Sequence, residues 1–288
     1  MKLFKFWQND MIRTGLVLDG KHIDLEAAVD DSGKLLPATL EEIIESGLAP
    51  AALEAAYRRL PAPVLEEGEI TFAPAVTDPE KILCVGLNYQ AHQKETNMLN
   101  DAKFPPLFCK FRNSLNSHEG VITLPACAEQ FDYEVELVAV IGKEASRVTP
   151  EEAAACVFGY TVGNDFSARD LQTATSQWLM GKACDGFAPI GPYIVTADEL
   201  DPAALHLCTR VNGQTMQDGN TSDMIFSVAQ IVSHISQVMT LVPGDVIYTG
   251  TPSGVILGRP ENERRWLKAG DTVEVEIEGI GVLRNTLA

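Results

Sequence analysis

Apolar and polar positions alternate differently in different parts of the chain, and the differences predict distinct elements. In VEVEIEG, Val273, Val275 and Ile277 alternate strictly with Glu274, Glu276 and Glu278, the pattern of a half-buried antiparallel strand with a wet acidic face. TGLVLDGKHIDL reads as two short strands turning at Asp19 and Gly20, a hairpin signal. KILCVGLNY is apolar enough for a buried strand, and GYTVGND is a further strand running into SARDLQTATSQWL, which the pattern predicts as helix.

Helices announce themselves by their caps. Thr39 and Glu42 form a capping box for a helix ending near Gly47, and a second short helix spans 50–59. Thr149, Pro150 and Glu152 open a helix over 150–157. Ile225, Val228, Ile231, Val232, Ile235 and Val238 fall on one helical face, which ends before a turn at Pro243, Gly244 and Asp245. Between the first group of elements and the rest lies LPAPVLEEGEITFAPAVTDPEK, rich in proline and acid and without helical period. A domain boundary is therefore expected between 70 and 78, giving a small α/β unit over 1–75 and a strand-rich α+β domain over 76–288. No internal repeat is present.

One strand breaks the pattern. DYEVELVAVIG places Glu134 and Glu136 two residues apart in a run that is otherwise as apolar as the middle of a sheet. Side chains at i and i+2 share a face and lie roughly 6 to 7 Å apart, and here that face continues into Val138 and Val140. Two anions so placed repel each other and lose hydration. Either one stays protonated or a cation holds both, and a hard divalent metal suits an oxygen-only site. The alternative is a solvated sheet face like that of Glu274, Glu276 and Glu278.

Composition narrows the partners. The 288 residues carry 45% hydrophobic content and a mean hydropathy near zero, enough to bury a sizeable core. A net charge of −18 and a pI near 4.6, with no basic stretch, argue against nucleic acid. An acidic surface also repels small anions, so a site for an anionic substrate must bring its own positive charge. The six cysteines (84, 109, 127, 156, 184 and 208) show no metal or disulfide spacing, and most are expected to be buried thiols in a reducing compartment. MKLFKFWQND develops no signal peptide, and no span suits a membrane. A cytoplasmic protein is expected.

Several further side chains stand where chemistry could use them, each with a plainer reading beside it. Asp165 ends a strand, a position from which it can reach a cleft or cap a helix. Arg169 and Gln172 share a helical face, which surface pairing would also explain. Lys182 lies among glycines and small residues in MGKACDGFAPIGP, unusual company for a solubilising lysine. His92 and Glu95, three apart in NYQAHQKE, can form a dyad in which the carboxylate raises the basicity of the imidazole, a pairing also common on surface helices. His22, His118, His206 and His234 have no such partner and read as surface or boundary residues. In YTGTPSGV, the amides around Gly250, Pro252 and Gly254 and the Thr251 hydroxyl can hold a carboxylate or simply make a turn.

Taken together, VGLNYQAHQKE, DYEVELVAVIGK, GYTVGNDFSARDLQ, MGKACDGFAPIGP, VNGQTMQDGNTSDMIFS and GDVIYTGTPSGV resemble the fumarylacetoacetate hydrolase family in order and spacing over 81–288. The resemblance implies a mixed β-sandwich roll and a metal site of Glu134, Glu136 and Asp165 for Mg²⁺ or Mn²⁺, with Ca²⁺ as a possible occupant in crystals. It makes Lys182 catalytic, Arg169, Gln172, Thr251 and Gly250 substrate-binding, and His92 and Glu95 a catalytic dyad on a lid. The 75 or so N-terminal residues resemble the small extra domain of some bacterial members, and a homodimer is implied. The chain departs from the family at CKFRNS, where a lysine is often followed by proline, so Lys110, Arg112 and Ser114 are weaker candidates for substrate contacts.

The reaction the resemblance implies first is hydrolytic C–C cleavage of an acylpyruvate-type 2,4-dioxo acid. There His92, backed by Glu95, takes a proton from water, and Lys182 stabilises the oxyanion. Oxaloacetate decarboxylation and isomerisation of a 2-hydroxy-dienedioate use the same chelation and enolate. A 2-oxo acid or calcium binder without chemistry would leave Lys182, His92 and Glu95 idle.

Overall fold

The computed structural model describes residues 1–25, 35–59, 63–96 and 103–288. Positions 60–62 of the proline-rich stretch lie outside the described residues. Two large sheets organise the described residues. The larger has eleven strands and runs, edge to edge, Val64–Leu65, Lys21–Asp24, Met11–Leu18, Lys2–Gln8, Ala188–Thr196, Val157–Asn164, Val135–Ile141, Val246–Tyr248, Ile82–Val85 and Leu107–Lys110, with Leu115–Asn116 pairing alongside Ala188–Thr196. The smaller, five-stranded sheet runs Gln214–Asn220, His206–Val211, Thr272–Ile277, Gly281–Leu287 and Val121–Ile122. Parallel and antiparallel pairs occur in both sheets. This is the strand-rich α+β roll that the sequence led us to expect.

The N-terminal strands extend the larger sheet. Lys2–Gln8 pairs antiparallel with Ala188–Thr196, and Met1, Leu3, Leu16, Leu53 and Tyr57 pack in one apolar cluster with Ile82, Val138, Val140 and Tyr248. The hairpin turns at Asp19 and Gly20, with φ of 51° and 76°, the left-handed pair that a tight two-residue connection requires. Thr39 makes its capping box with Glu42 ahead of Leu40–Glu45, and Pro50 opens Pro50–Tyr57.

Strand Val135–Ile141 is buried on both faces. Val135, Leu137, Ala139 and Ile141 enter the core shared with Leu207, Val273, Val275 and Leu283 of the small sheet and with Ile231, Val232 and Ile235 of the helix Val228–Ser236. Val138 and Val140 enter the other cluster, so the face of Glu134 and Glu136 does run into apolar packing.

Four expectations are corrected. SARDLQTATSQWL is two short helices, Arg169–Thr173 and Leu179–Lys182. At the end of the first the Thr173 hydroxyl donates to Arg169 O, and between the two Thr175 Oγ1 donates to Gln177 O and accepts from Gln177 N, local bonds that compete with helix continuation. The helix expected from Ile225 to Val238 spans only Val228–Ser236, begun by a capping box of Ser227 and Gln230, and Val238 is 86% exposed. Of the six free cysteines only Cys84, Cys156 and Cys208 are buried, because the others sit near strand ends and turns. His22 is buried, its Nε2 2.8 Å from the Tyr193 hydroxyl and its ring edge-on to Phe4.

Candidate active site

Neighbouring strand ends of the large sheet converge at one edge. Val135 pairs with Asn164, so Glu134 and Asp165 leave adjacent strands side by side, joined by Asp165 N–H donating to Glu134 O at 2.9 Å. Val246–Tyr248 lies on the other side of Val135–Ile141 and runs into Gly250, whose N–H donates to Glu136 Oε2 at 2.8 Å. Gly250 holds φ of 97°, and a Cβ there would stand 2.7 Å from the Cβ of Asn88, so this close approach requires glycine. The loop amide expected to hold a carboxylate thus holds one of the protein's own.

Glu134, Glu136 and Asp165 are all buried, and each offers a carboxylate oxygen within 4.8 Å of the others. Lys182 Nζ donates to Glu134 Oε2 at 2.8 Å and to Asp165 Oδ2 at 2.6 Å. Arg169 Nη2 lies 2.7 Å from Glu134 Oε1. Lys110, a weak candidate in sequence, is fully buried, with Nζ 2.6 Å from Asp165 Oδ1 and donating to Phe166 O and Phe187 O. Arg112 by contrast pairs with Asp78 in solvent, and Ser114 is buried.

Charge is not balanced within this group. Three cations, Lys110, Arg169 and Lys182, face four anions, Asp132, Glu134, Glu136 and Asp165. Burial alone would raise the Glu134 carboxyl, but Lys182 and Arg169 hold it well below the usual range. Burial would likewise lower the Lys182 ammonium, and Asp165 and Glu134 outweigh it. Glu136 has no such partner: among the described residues no lysine or arginine pairs with it, and burial, reinforced by Asp165 and Glu134, pushes its carboxyl far up. A buried, oxygen-only set with one uncompensated carboxylate fits a hard divalent cation, which these three side chains could hold.

The expected dyad forms. His92 lies on Gln90–Thr96 with Nδ1 2.9 Å from Glu95 Oε1, while Glu95 Oε2 accepts from Gly254 N at 2.9 Å. His92 lines the same pocket as Glu134, Glu136, Arg169, Gln172, Lys182 and Thr251, and Phe108, Trp178 and Leu257 supply apolar wall. The turn bringing His92 there has Leu87 in left-handed backbone, φ 55°, with Gln93 Nε2 donating to Leu87 O at 2.7 Å. Gln172 accepts from Arg169 Nη1 at 2.9 Å, leaving its Nε2 as a donor on the pocket wall. Arg169 is committed to Asp132, Glu134 and Gln172, which makes it a holder of other site residues.

Three supporting residues escaped the sequence reading. Asp132 binds Arg169 and the loop at 256–257. Gln217 accepts from Val135 N at 3.1 Å and donates to Thr251 Oγ1 and Pro252 O, both at 2.9 Å. Asn88 donates to Thr249 O and Phe226 O and accepts from Phe226 N. All three stand inside quoted motifs, yet a lone polar residue carries no period by which to recognise it.

The fold and site define a fumarylacetoacetate hydrolase-type protein, and residues 81–288 match the fumarylacetoacetate (FAA) hydrolase C-terminal domain. The chain belongs to that family. It is 42% identical over 280 residues to human mitochondrial oxaloacetate tautomerase FAHD2A, covering 93% of this chain and 88% of that protein. The structure of a fumarylacetoacetate hydrolase from psychrophilic Exiguobacterium antarcticum superposes with a TM-score of 0.85 at 38% identity, covering 100% of this chain and 99% of that one. Fumarylpyruvate hydrolase from Pseudomonas aeruginosa, solved with Mn²⁺ and pyruvate, gives a TM-score of 0.67 at 32% identity over 74% of this chain and 91% of that one. Among the described residues no helix is long and apolar enough to cross a membrane.

Proposed function

We propose that this protein is a divalent-cation-dependent enzyme that moves a proton between C3 and the 2-oxo oxygen of a small 2-oxo dicarboxylic acid of the oxaloacetate type. The observation that carries this reading is the His92–Glu95 dyad in the same pocket as the three-carboxylate cluster. Likeness to an oxaloacetate tautomerase along nearly the whole chain supports the substrate class.

Mg²⁺ or Mn²⁺ held by Glu134, Glu136 and Asp165 would polarise the 2-oxo group. The chain's own residues do the rest. With Nδ1–H donated to Glu95, His92 presents a bare Nε2, which takes the proton from C3; the electron pair left on carbon moves into the C2–C3 bond as the carbonyl pair moves to oxygen. The proton then returns to that oxygen, giving the enol, and the reverse path gives the keto acid. Lys182, Gln172 and Thr251 supply donors to the substrate's anionic oxygens, and Arg169 keeps Glu134 and Gln172 in place. Phe108, Trp178 and Leu257 exclude water from the apolar side of the pocket.

A second reading has its own support: hydrolysis of an acylpyruvate, where the same Nε2 takes a proton from water and the C3–C4 bond breaks. It is favoured by the backing of His92 by Glu95, which suits a water base, and by likeness to a fumarylpyruvate hydrolase. The free thiols suit a reducing compartment such as the cytoplasm. A homodimer is the expected assembly, with the edge strand Leu107–Lys110 and exposed Phe104 and Phe111 as available surface.

A panel tests these readings. Purified protein with Mn²⁺ is mixed with enol oxaloacetate, keto oxaloacetate, acetylpyruvate and fumarylpyruvate, following enol absorbance, diketone absorbance and pyruvate release. Faster enol–keto interconversion without pyruvate is expected. Pyruvate from a diketo acid supports hydrolysis, pyruvate from oxaloacetate supports decarboxylation, and no turnover of any acid overturns the assignment.

A further inference from the structure

The residues that hold the carboxylates and those that hold the dyad meet at one side chain belonging to neither group. Asp132 is fully buried and accepts four N–H donors: Tyr133 N and Ile256 N on Oδ1, both at 2.9 Å, and Arg169 Nε at 2.9 Å and Leu257 N at 3.0 Å on Oδ2. On one side Arg169 continues to Glu134 Oε1 at 2.7 Å. On the other, Ile256 and Leu257 belong to the loop whose Gly254 N–H donates to Glu95 Oε2 at 2.9 Å, and Glu95 Oε1 orients His92. The same loop is tied again where the Tyr133 hydroxyl donates to Gly254 O at 3.0 Å.

We propose that Asp132 is a positioning residue that couples the carboxylate cluster to the proton-carrying dyad, so that filling the cluster sets the dyad and the dyad in turn strengthens cation binding. The proposal deepens the function given above, resting on its assignment of the cation to Glu134, Glu136 and Asp165 and of the proton to His92. The physical link is the shared oxygen. When the charge on the Glu134 carboxylate is drawn toward a cation, Arg169 redistributes its donors between Glu134 and Asp132. Oδ2, which accepts from both Arg169 and Leu257, then holds the loop more or less firmly.

Binding of Mn²⁺ alone, read by titration calorimetry and electron paramagnetic resonance, tests the coupling without turnover. Asp132→Asn keeps the Oδ1 acceptor and removes the one that Arg169 and Leu257 share; it is expected to weaken Mn²⁺ about tenfold although no ligand is touched. Because coupling is reciprocal, Glu95→Gln is expected to weaken Mn²⁺ about fivefold in the parent and less than about twofold in the Asp132→Asn background. Equal weakening in both backgrounds, as a direct field between His92 and Glu134 would give, overturns the proposal, as does no effect of Glu95→Gln in the parent.

If Asp132→Asn does not fold, amide exchange of the unmutated protein decides. Saturating Mn²⁺ is expected to slow exchange over 254–258 about tenfold, and an unchanged rate overturns the coupling. Failure of every acid in the panel with this coupling intact would remove the proposed reaction and leave Asp132 in its role.

Discussion

Two strands of this protein carry glutamates at the same spacing and put them to opposite uses. Thr272–Ile277 alternates buried valines and isoleucine with half-exposed Glu274 and Glu276, which pair across the sheet with Arg284 and Arg210. Val135–Ile141 is buried at every position; Glu136 lies within it and Glu134 just before it, both with little solvent exposure to screen them. Identical spacing yields a solubilising face in one place and an unbalanced charge cluster in the other. What differs is the surroundings: the first strand has one face in solvent, the second is sandwiched between two cores. A carboxylate becomes a candidate ligand when the fold denies it water and does not supply enough cations.

The sharpest way to break this contrast is Glu136→Gln. It is expected to lower turnover by at least about 10³-fold, the several kcal/mol that a Lewis acid contributes, and to abolish stabilisation by Mn²⁺. Steady-state rates and melting with and without chelator check it; normal rates with normal Mn²⁺ affinity would remove Glu136 from the ligand set. Next in size, His92→Ala is expected to reduce turnover about 10² to 10⁴-fold while weakening Mn²⁺ by no more than the roughly fivefold expected of Glu95→Gln. Full activity in that variant would reduce the dyad to lid structure.

A pH series sharpens the comparison further. The folded-state carboxyl of Glu136 is raised, so its contribution to the metal-free protein is fully present below the unfolded value of about 4.3 and is lost as pH rises through the folded value. The melting temperature of metal-free Glu136→Gln is therefore expected to gain on that of the parent as pH rises, and a constant difference would contradict the raised carboxyl. The smallest effect belongs to the other strand. Glu274→Gln with Glu276→Gln is expected to change stability by no more than about 1 kcal/mol, as for exposed ion pairs, and to leave turnover within about twofold. A large loss of activity there would dissolve the distinction.

Much of this was readable beforehand, for reasons that differ by residue. The hairpin at Asp19 and Gly20, the capping boxes of Thr39 and Thr149, and the alternation of Thr272–Ile277 are local, because each is set by neighbours within a few positions. Glu134 and Glu136 were legible as a conflict between charge and apolar context, and the motif resemblance joined Asp165, Lys182 and the dyad to them. The helix expected after GYTVGND failed because threonine hydroxyls bind the backbone at the end of its first half and just beyond it, and Val238 fell outside its helix because a face pattern does not mark where the hydrogen bonds stop.

The sequence by itself determined the strand-rich character, the turns and caps, and which carboxylates stand where charge is costly, since these follow from chain-local sterics and from the period of apolar residues. Only the tertiary structure decided that Lys110 belongs to the site while Arg112 does not, that the Gly250 amide serves Glu136, and that Asp132 joins the two halves. Those contacts span 37 to 124 positions of chain wherever Asp132 reaches Arg169 and Ile256. Nothing in the neighbouring residues records such a distance; the packing of the sheets brings these groups within 3 Å.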